Sequence, residues 1–428
     1  MKVSFYTLGC KVNQYETQEM LSLMKSRGYD ITDTRSCADI YVINSCTVTA
    51  ESSRKTRQAV RKFRKLNPDA IIVLTGCFPQ AFPEEAAELT EADIILGNKS
   101  NSLIADAIDE FRNSGNRIIK TTAHKQQDRY CGNKIDTFDG HTRAFIKIQD
   151  GCNRYCSYCI IPKARGFSRS RPLEDIAEEL KSLAEAGYKE VVFVGINLSA
   201  YGLDTGKNIC DALILAENTD GIERFRLGSL EPDHITDDVI QKLASMKKFC
   251  PQFHLSLQSG SNSILKRMNR HYTAEEYLEL CSKLKKVFPD LSLTTDIIVG
   301  FPGETDENFN ETVAFAEKCG FMKVHVFPFS PREGTVAYKY TDKISNGIKA
   351  HRCSVLQNNC DRFRNNFLAT LTGKVVNVLF ETPKGRINQG YTENYTPVSV
   401  ESDINLCGEI RQVKILSATD EMCYGELI

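Results

Sequence analysis

No run of eighteen apolar residues occurs in this 428-residue chain, and no basic segment leads into an apolar one at its start. Neither a membrane-spanning helix nor a signal peptide is expected, and the expected compartment is the cytoplasm. Charge of either sign is not in excess, since 54 Lys and Arg face 55 Asp and Glu. A net charge of −1 excludes a uniformly basic nucleic-acid binder and leaves only local patches for phosphate. Histidine is scarce, at seven residues. Cysteine is not: sixteen of them, in a chain with no secretory signal, read as reduced thiols and metal ligands and not as a disulfide framework. The 41% hydrophobic and 25% charged content is that of an ordinary globular protein, here long enough for two or three domains.

The densest group of cysteines lies in Ile148-Gln149-Asp150-Gly151-Cys152-Asn153-Arg154-Tyr155-Cys156-Ser157-Tyr158-Cys159. Three thiolates separated by three and then two residues, on a loop able to curl, can face one soft-metal centre. Three ligands on a cubane cluster leave its fourth iron open to a substrate. A structural zinc site would need a fourth Cys or His at similar range, and His141 is the only histidine nearby. The spacing favours iron–sulfur over zinc.

Residues 1–115 alternate short apolar runs with helical segments. Val3–Leu8, Asp39–Asn44, Ala70–Thr75 and Ala92–Leu96 read as strands; Asn13–Gly28, Glu51–Leu66, Pro83–Leu89 and Ser102–Phe111 read as helices. This rhythm predicts a small parallel α/β sheet. Cys10, Cys46 and Cys77 each fall just past a strand's end, after a small residue. Open parallel sheets bind ligands outside the carboxyl ends of their strands, so these three thiols make a second candidate cluster site. Each alone reads as a small buried hydrophobe. Cys37 precedes its strand and is left out.

Residues 116–141 are polar and read as a linker with a short strand at Arg117–Lys120. From 142 to 370 strands are expected at Ala144–Ile148, Glu190–Gly195, Phe225–Gly228, Phe253–Leu257, Ser292–Val299 and Val324–Phe327, with helices at Leu173–Gly187, Asp237–Met246, Ala274–Val287 and Glu307–Cys319. Six such strands suit a partial (β/α) barrel. Its strand-end polar residues Asn197, Glu231, Gln258, Ser259 and Asp296 would face the Cys152 loop. A helix at about 347–371 leads into residues 371–428, where short runs at Lys374–Phe380, Thr396–Val400 and Gln412–Ile415 predict a small antiparallel β barrel, a recognition module.

The CxxxCxxC loop with Tyr158 resembles the defining motif of the radical S-adenosylmethionine (SAM) superfamily. With the three spaced N-terminal cysteines and the C-terminal barrel, the whole chain resembles the methylthiotransferases, whose last domain is called TRAM. Gly9-Cys10-Lys11-Val12-Asn13-Gln14-Tyr15-Glu16, Ala164-Arg165-Gly166, Arg169-Ser170-Arg171, Ser229-Leu230-Glu231-Pro232, Leu257-Gln258-Ser259-Gly260-Ser261 and Gly300-Phe301-Pro302-Gly303-Glu304-Thr305 carry the resemblance. The first of these is similar to the branch acting on N6-threonylcarbamoyladenosine at position 37 of tRNA, beside the anticodon.

The resemblance implies a [4Fe-4S] cluster on Cys152, Cys156 and Cys159, which binds SAM, and an auxiliary [4Fe-4S] cluster on Cys10, Cys46 and Cys77, which handles sulfur. One SAM would give a methyl group and a second a 5'-deoxyadenosyl radical. Tyr158, Asn197, Glu231 and Ser259 are the expected SAM contacts, with Phe327, Phe329 and Arg332 on the substrate side. The implied partners are the tRNA anticodon stem-loop, a reducing electron donor and a sulfur donor, and a monomer is expected. The C-terminal module carries five basic against eight acidic residues from Thr372 onward, a net of −3, which makes it a poor phosphate binder. Stacking by Tyr391 or Tyr395 and the basic segment Arg54–Lys65 are expected to compensate. Competing readings are a related enzyme acting on isopentenyladenosine or a ribosomal-protein aspartate, and a non-catalytic iron–sulfur RNA-binding protein.

Overall fold

The computed structural model describes residues 1–138 and 140–428. The N-terminal sheet has six parallel strands: β1 (Lys2–Thr7), β2 (Asp30–Thr32), β3 (Ile40–Ser45), β4 (Ile71–Gly76), β5 (Ile94–Leu96) and β6 (Ile118–Lys120), in the order β2-β1-β3-β4-β5-β6. Every residue of β3 and β4 is buried, as befits central parallel strands covered by helices on both faces. One covering helix, Ala50–Leu66, starts at a capping box between Thr49 and Ser52. It buries Val60 and Phe63, and Phe63 stacks on Tyr41 with ring centroids 4.6 Å apart. Full burial of a side chain of that size contributes about 1.5–3 kcal/mol.

β6 pairs with β5, so the sheet runs past the boundary expected at residue 115. The rest of the expected linker is strapped across two domains. Asn133 N donates to Glu19 on one side, Tyr130 Oη donates to Lys147 O on the other, and Ile135 and Phe138 enter the central core.

That core belongs to six parallel positions: β7 (Ala144–Lys147), β10 (Glu190–Val194), β11 (Arg224–Leu227) continuing into β12 (Ser229–Leu230), β13 (Gln252–Leu255), β14 (Ser292–Val299) and β15 (Lys323–Pro328). A two-stranded ribbon of β8 (Gln149–Asp150) and β9 (Arg169–Ser170) flanks the cysteine loop. Neighbours along the barrel are parallel, and among the described residues β15 does not pair with β7, so the expected partial barrel is open on one side. The helices Ala274–Val287 and Asp306–Cys319 begin at capping boxes on Thr273 and Thr305.

The helix Asn346–Ala369 leads to the closed barrel β16 (Val375–Lys384), β17 (Ile387–Thr392), β18 (Pro397–Glu401), β19 (Ile410–Ala418) and β20 (Cys423–Leu427). Its pairs are antiparallel except β18 with β20, which run parallel. β17 and β20 are absent from the sequence reading because each carries a glycine in its middle. A Cβ at Gly390 would lie 2.1 Å from Leu379 O, and one at Gly425 2.5 Å from Lys414 O, so close strand passage requires glycine there.

Candidate functional site

β1, β3 and β4 are neighbours in the sheet, with Thr7 opposite Asn44 and Asn44 opposite Thr75. That register brings the loops carrying Cys10, Cys46 and Cys77 to one level at the sheet's carboxyl edge. Two glycines let them close up. A Cβ at Gly9 would sit 3.0 Å from the Cys46 Cβ, and Gly76, at φ +97°, passes where a Cβ would lie 2.5 Å from Asn44 Oδ1. Asn13 ties the loops together: its Nδ2 donates to Ser45 O at 3.1 Å, and its Oδ1 accepts from Cys10 Sγ at 3.3 Å. Burial pushes the Cys77 thiol up to about 12, with the Cys46 and Cys10 thiolates adding to the shift and the Arg165 guanidinium opposing it. Cys37 is exposed, in a turn before β3.

The second set sits on the loop after β8. Gly151, at φ +72°, starts the curl, and a Cβ there would strike Phe167 O at 1.9 Å. Cys152 N donates to Gly166 O, Cys159 N to Cys156 O and Ser157 N to Met268 O, which fixes the loop without involving the sulfurs. Burial raises the Cys152 thiol to about 11, and it raises Cys159 further, with Cys156 and Cys152 thiolates adding. The three thiols of each set share one loop region, and none of the sixteen cysteines forms a disulfide. Both sets therefore fit a soft cationic cluster held by three thiolates, whose binding would release their protons.

Buried ions tie the two sets together. Glu16 accepts from Arg165 Nη1 and Nη2 at 2.6 and 2.8 Å and from Lys147 Nζ at 2.8 Å. Asp150, next to the cysteine loop, faces Lys147 at 2.9 Å, Arg169 at 3.1 Å and Arg165 at 3.3 Å. These cations hold the Asp150 carboxyl well below the usual range despite its burial. Glu16, Asp150, Arg165 and Arg169 all stand in the stretches singled out in the sequence, but their pairing with one another is visible only in the fold.

The expected SAM contacts separate into two groups. Tyr158 is half-buried, with its ring edge-on to Phe301 at 6.4 Å. Ile196 N and Asn197 N both donate to Gln149 Oε1, at 2.9 and 2.7 Å, leaving Asn197 Oδ1 buried with no partner. Asn197 lines a cavity of about 350 Å³ with Asn153, Arg154, His234 and His271. An orphaned buried acceptor beside a cavity is a natural ligand contact. Glu231 is instead bonded through both oxygens to Arg270, which also donates to Cys156 Sγ at 3.3 Å. Ser259 is 1% exposed, and its hydroxyl shares a bond with Thr312 and accepts from Ser261 N. Arg270 escaped the sequence reading because nothing local marks it.

Other expected residues fall elsewhere. Gln258, at φ +70°, exchanges backbone bonds with Asp296 and Ile298 beside β14. Phe329 packs on Phe301, while Phe327 is 44% exposed and lines a second cavity with Asp296. Arg332 reaches the auxiliary set, donating to Thr47 Oγ1 at 2.7 Å and Ser53 Oγ at 2.9 Å. Tyr391 and Tyr395, both half-buried on the wall of that second cavity, stack on each other at 4.6 Å, with the Arg143 guanidinium over both rings. Along the basic helix, Arg54, Arg57, Arg61 and Arg64 pair with Glu51, Glu85, Glu91 and Asp93.

Residues 146–316 match the Radical SAM superfamily, and residues 2–97 match an uncharacterized protein family, UPF0004. A Bacillus subtilis protein named threonylcarbamoyladenosine tRNA methylthiotransferase is 39% identical over 100% of this chain and 96% of its own length. The chain belongs to the radical SAM methylthiotransferase family. A Thermotoga maritima methylthiotransferase of the same name is 37% identical over 100% of this chain and 98% of its own. A Petrotoga mobilis relative named tRNA-2-methylthio-N(6)-dimethylallyladenosine synthase is also 37% identical, over 100% and 99%. Among solved structures, the radical SAM methyltransferase TsrM from Kitasatospora setae superposes with a TM-score of 0.55 at 16% identity, over 77% of this methylthiotransferase and 76% of that chain, a likeness of fold alone.

Proposed function

We propose that this protein methylthiolates C2 of N6-threonylcarbamoyladenosine at position 37 of tRNA. The observation that carries the reading is the pairing of two three-cysteine sites in a chain whose full length matches relatives named for that reaction. Cys152, Cys156 and Cys159 would hold a [4Fe-4S] cluster with SAM, and Cys10, Cys46 and Cys77 an auxiliary [4Fe-4S] cluster. When bound, these groups and two molecules of SAM would supply the electron, the methyl group and the radical needed at an aromatic carbon that no side-chain base deprotonates at neutral pH.

The chain's own residues bind and orient. Gln149 fixes the backbone of Ile196 and Asn197 and so aims the unpaired Asn197 Oδ1 at the cavity, where it would accept from SAM. Tyr158 offers an aromatic face beside the same loop. Glu231 acts through Arg270, and Ser259 by fixing the strand-to-helix joint, so both are positioning residues and not direct contacts. Arg165 sets a fixed positive charge between the two cysteine sets. The reaction consumes an electron and a sulfur atom, so a reducing donor and a sulfur donor are partners. One chain supplies all six cysteines, which supports a monomer, and a tRNA substrate supports action in the cytoplasm.

Relatives named for dimethylallyladenosine, at 34–37% identity, favour a second reading on that nucleoside. Nucleoside mass spectrometry of tRNA from a deletion strain separates the two. Loss of the methylthio-threonylcarbamoyl nucleoside is expected; loss of the methylthio-dimethylallyl nucleoside instead would replace this reading with the second.

A further inference from the structure

We infer that the cavity between the central barrel and the C-terminal domain is a carboxylate subsite in which Lys11 reads the free acid of the adenosine's N6 substituent. The inference rests on the substrate proposed above and names how it is recognised.

The cavity, about 530 Å³, is lined by Lys11, Arg226, Lys323, Arg364, His254 and His325 against a single carboxylate among the described lining residues, Asp296. Some of these groups are already committed. Arg226 donates to Glu190 at 2.6 Å and to Thr392 O at 2.8 Å, Arg364 donates to Glu421 O, and Asp296 faces His254 Nε2 at 3.3 Å. Lys11 is different. Its ammonium lies 5.8 Å from the centre of the Phe145 ring, and among the described residues no carboxylate reaches it. In the interior, Lys147, Arg165 and Arg171 each have a carboxylate within 2.8 Å. Lys11 is solvent-exposed on the cavity wall, so its ammonium is free to meet an anion that enters.

The position of Lys11 says which anion. It directly follows Cys10, so the subsite adjoins the auxiliary cysteine set. The two N6 substituents named among the relatives differ there in charge: threonylcarbamoyl ends in a carboxylate, and dimethylallyl is a neutral hydrocarbon. An ammonium gains a charge-assisted hydrogen bond from the first and loses solvation to the second, so one residue both selects and rejects.

The test compares binding of the cluster-loaded protein to synthetic anticodon stem-loops carrying threonylcarbamoyladenosine, its carboxamide, or dimethylallyladenosine. Wild type should bind the acid about tenfold or more tighter than the carboxamide, Lys11→Met should bring that ratio near one, and Lys11→Arg should keep most of it. Each protein is its own reference, so a general loss of affinity or iron in a variant cancels in the ratio. Equal binding of acid and carboxamide by wild type, or a ratio that survives in Lys11→Met, overturns the subsite while leaving the substrate assignment standing. Preference of wild type for the dimethylallyl loop overturns the substrate assignment itself.

Discussion

Glu19 shows how far a single residue's behaviour departs from its sequence. It lies on the helix Lys11–Ser26, bordering a cavity of about 360 Å³, and burial lifts its carboxyl to about 8, with Glu16 and Glu179 adding and Lys147 opposing. A raised folded-state value means that the folded form holds a proton the unfolded chain has released. The associated stability is fully present below the ordinary carboxylate range and is lost as pH rises through about 8. Glu19→Gln copies the protonated form. Thermal melts of the two proteins should therefore converge below about pH 4, and the variant should gain steadily as pH rises from about 5 to about 8, reaching an advantage of about 2–4 kcal/mol near about pH 9. The six candidate cysteines, in contrast, stand out in the sequence one by one: three from spacing, and three from recurring at strand ends. Their support does not, because the bonds of Arg270 to Cys156, Gln149 to Ile196 and Glu16 to Arg165 bridge distant stretches of chain.

Among elements, the basic helix Ala50–Leu66 was correctly placed, yet its charge was misread from sequence alone. Its four arginines are answered by Glu51, Glu85, Glu91 and Asp93, three of them outside the helix and invisible to a local count. Among the described residues no carboxylate pairs with Lys55, Lys62 or Lys65. A Lys55→Glu, Lys62→Glu, Lys65→Glu variant should reduce the slope of log affinity for tRNA against log salt by about 2. Arg57→Glu with Arg61→Glu should reduce it less, since those charges are partly neutralised already. Titration of binding across salt concentrations decides it, and equal slopes would mean that the helix does not meet phosphate. Long periodic elements such as Ser292–Val299 and Ala274–Val287 matched the reading in full, because burial and capping agree with their local pattern. The helix Ile209–Glu217 and the strands β17 and β20 did not, since neighbours and not periodicity hold them.

Across the whole molecule, the C-terminal barrel is bolted to the base of the central one. Arg143 pairs with Glu381, Arg224 and Arg226 donate to the carbonyls of Tyr391, Thr392 and Glu393, and Ser292 donates to Asn394 O at 2.5 Å. This explains how an acidic module serves: its turn shapes the cavity from below, whatever it contributes to RNA binding. Removing Arg226 by Arg226→Leu leaves the Glu393 carbonyl without its donor and Glu190 short of a partner. It should cost about 3 kcal/mol. Hydrogen exchange should rise first in residues 387–401, ahead of the central strands. Uniform exchange through both barrels would show that the two unfold as one unit. The buried ions between the cysteine sets carry a further consequence, for synthesis. The N-terminal sheet is complete by Lys120, but Glu16 meets its counterions only when Lys147 and Arg165 have been made. A nascent chain halted before Arg165 would hold an uncompensated carboxylate beside Cys10 and Cys77, so maturation of the auxiliary site has to wait for the ribosome to deliver the next domain.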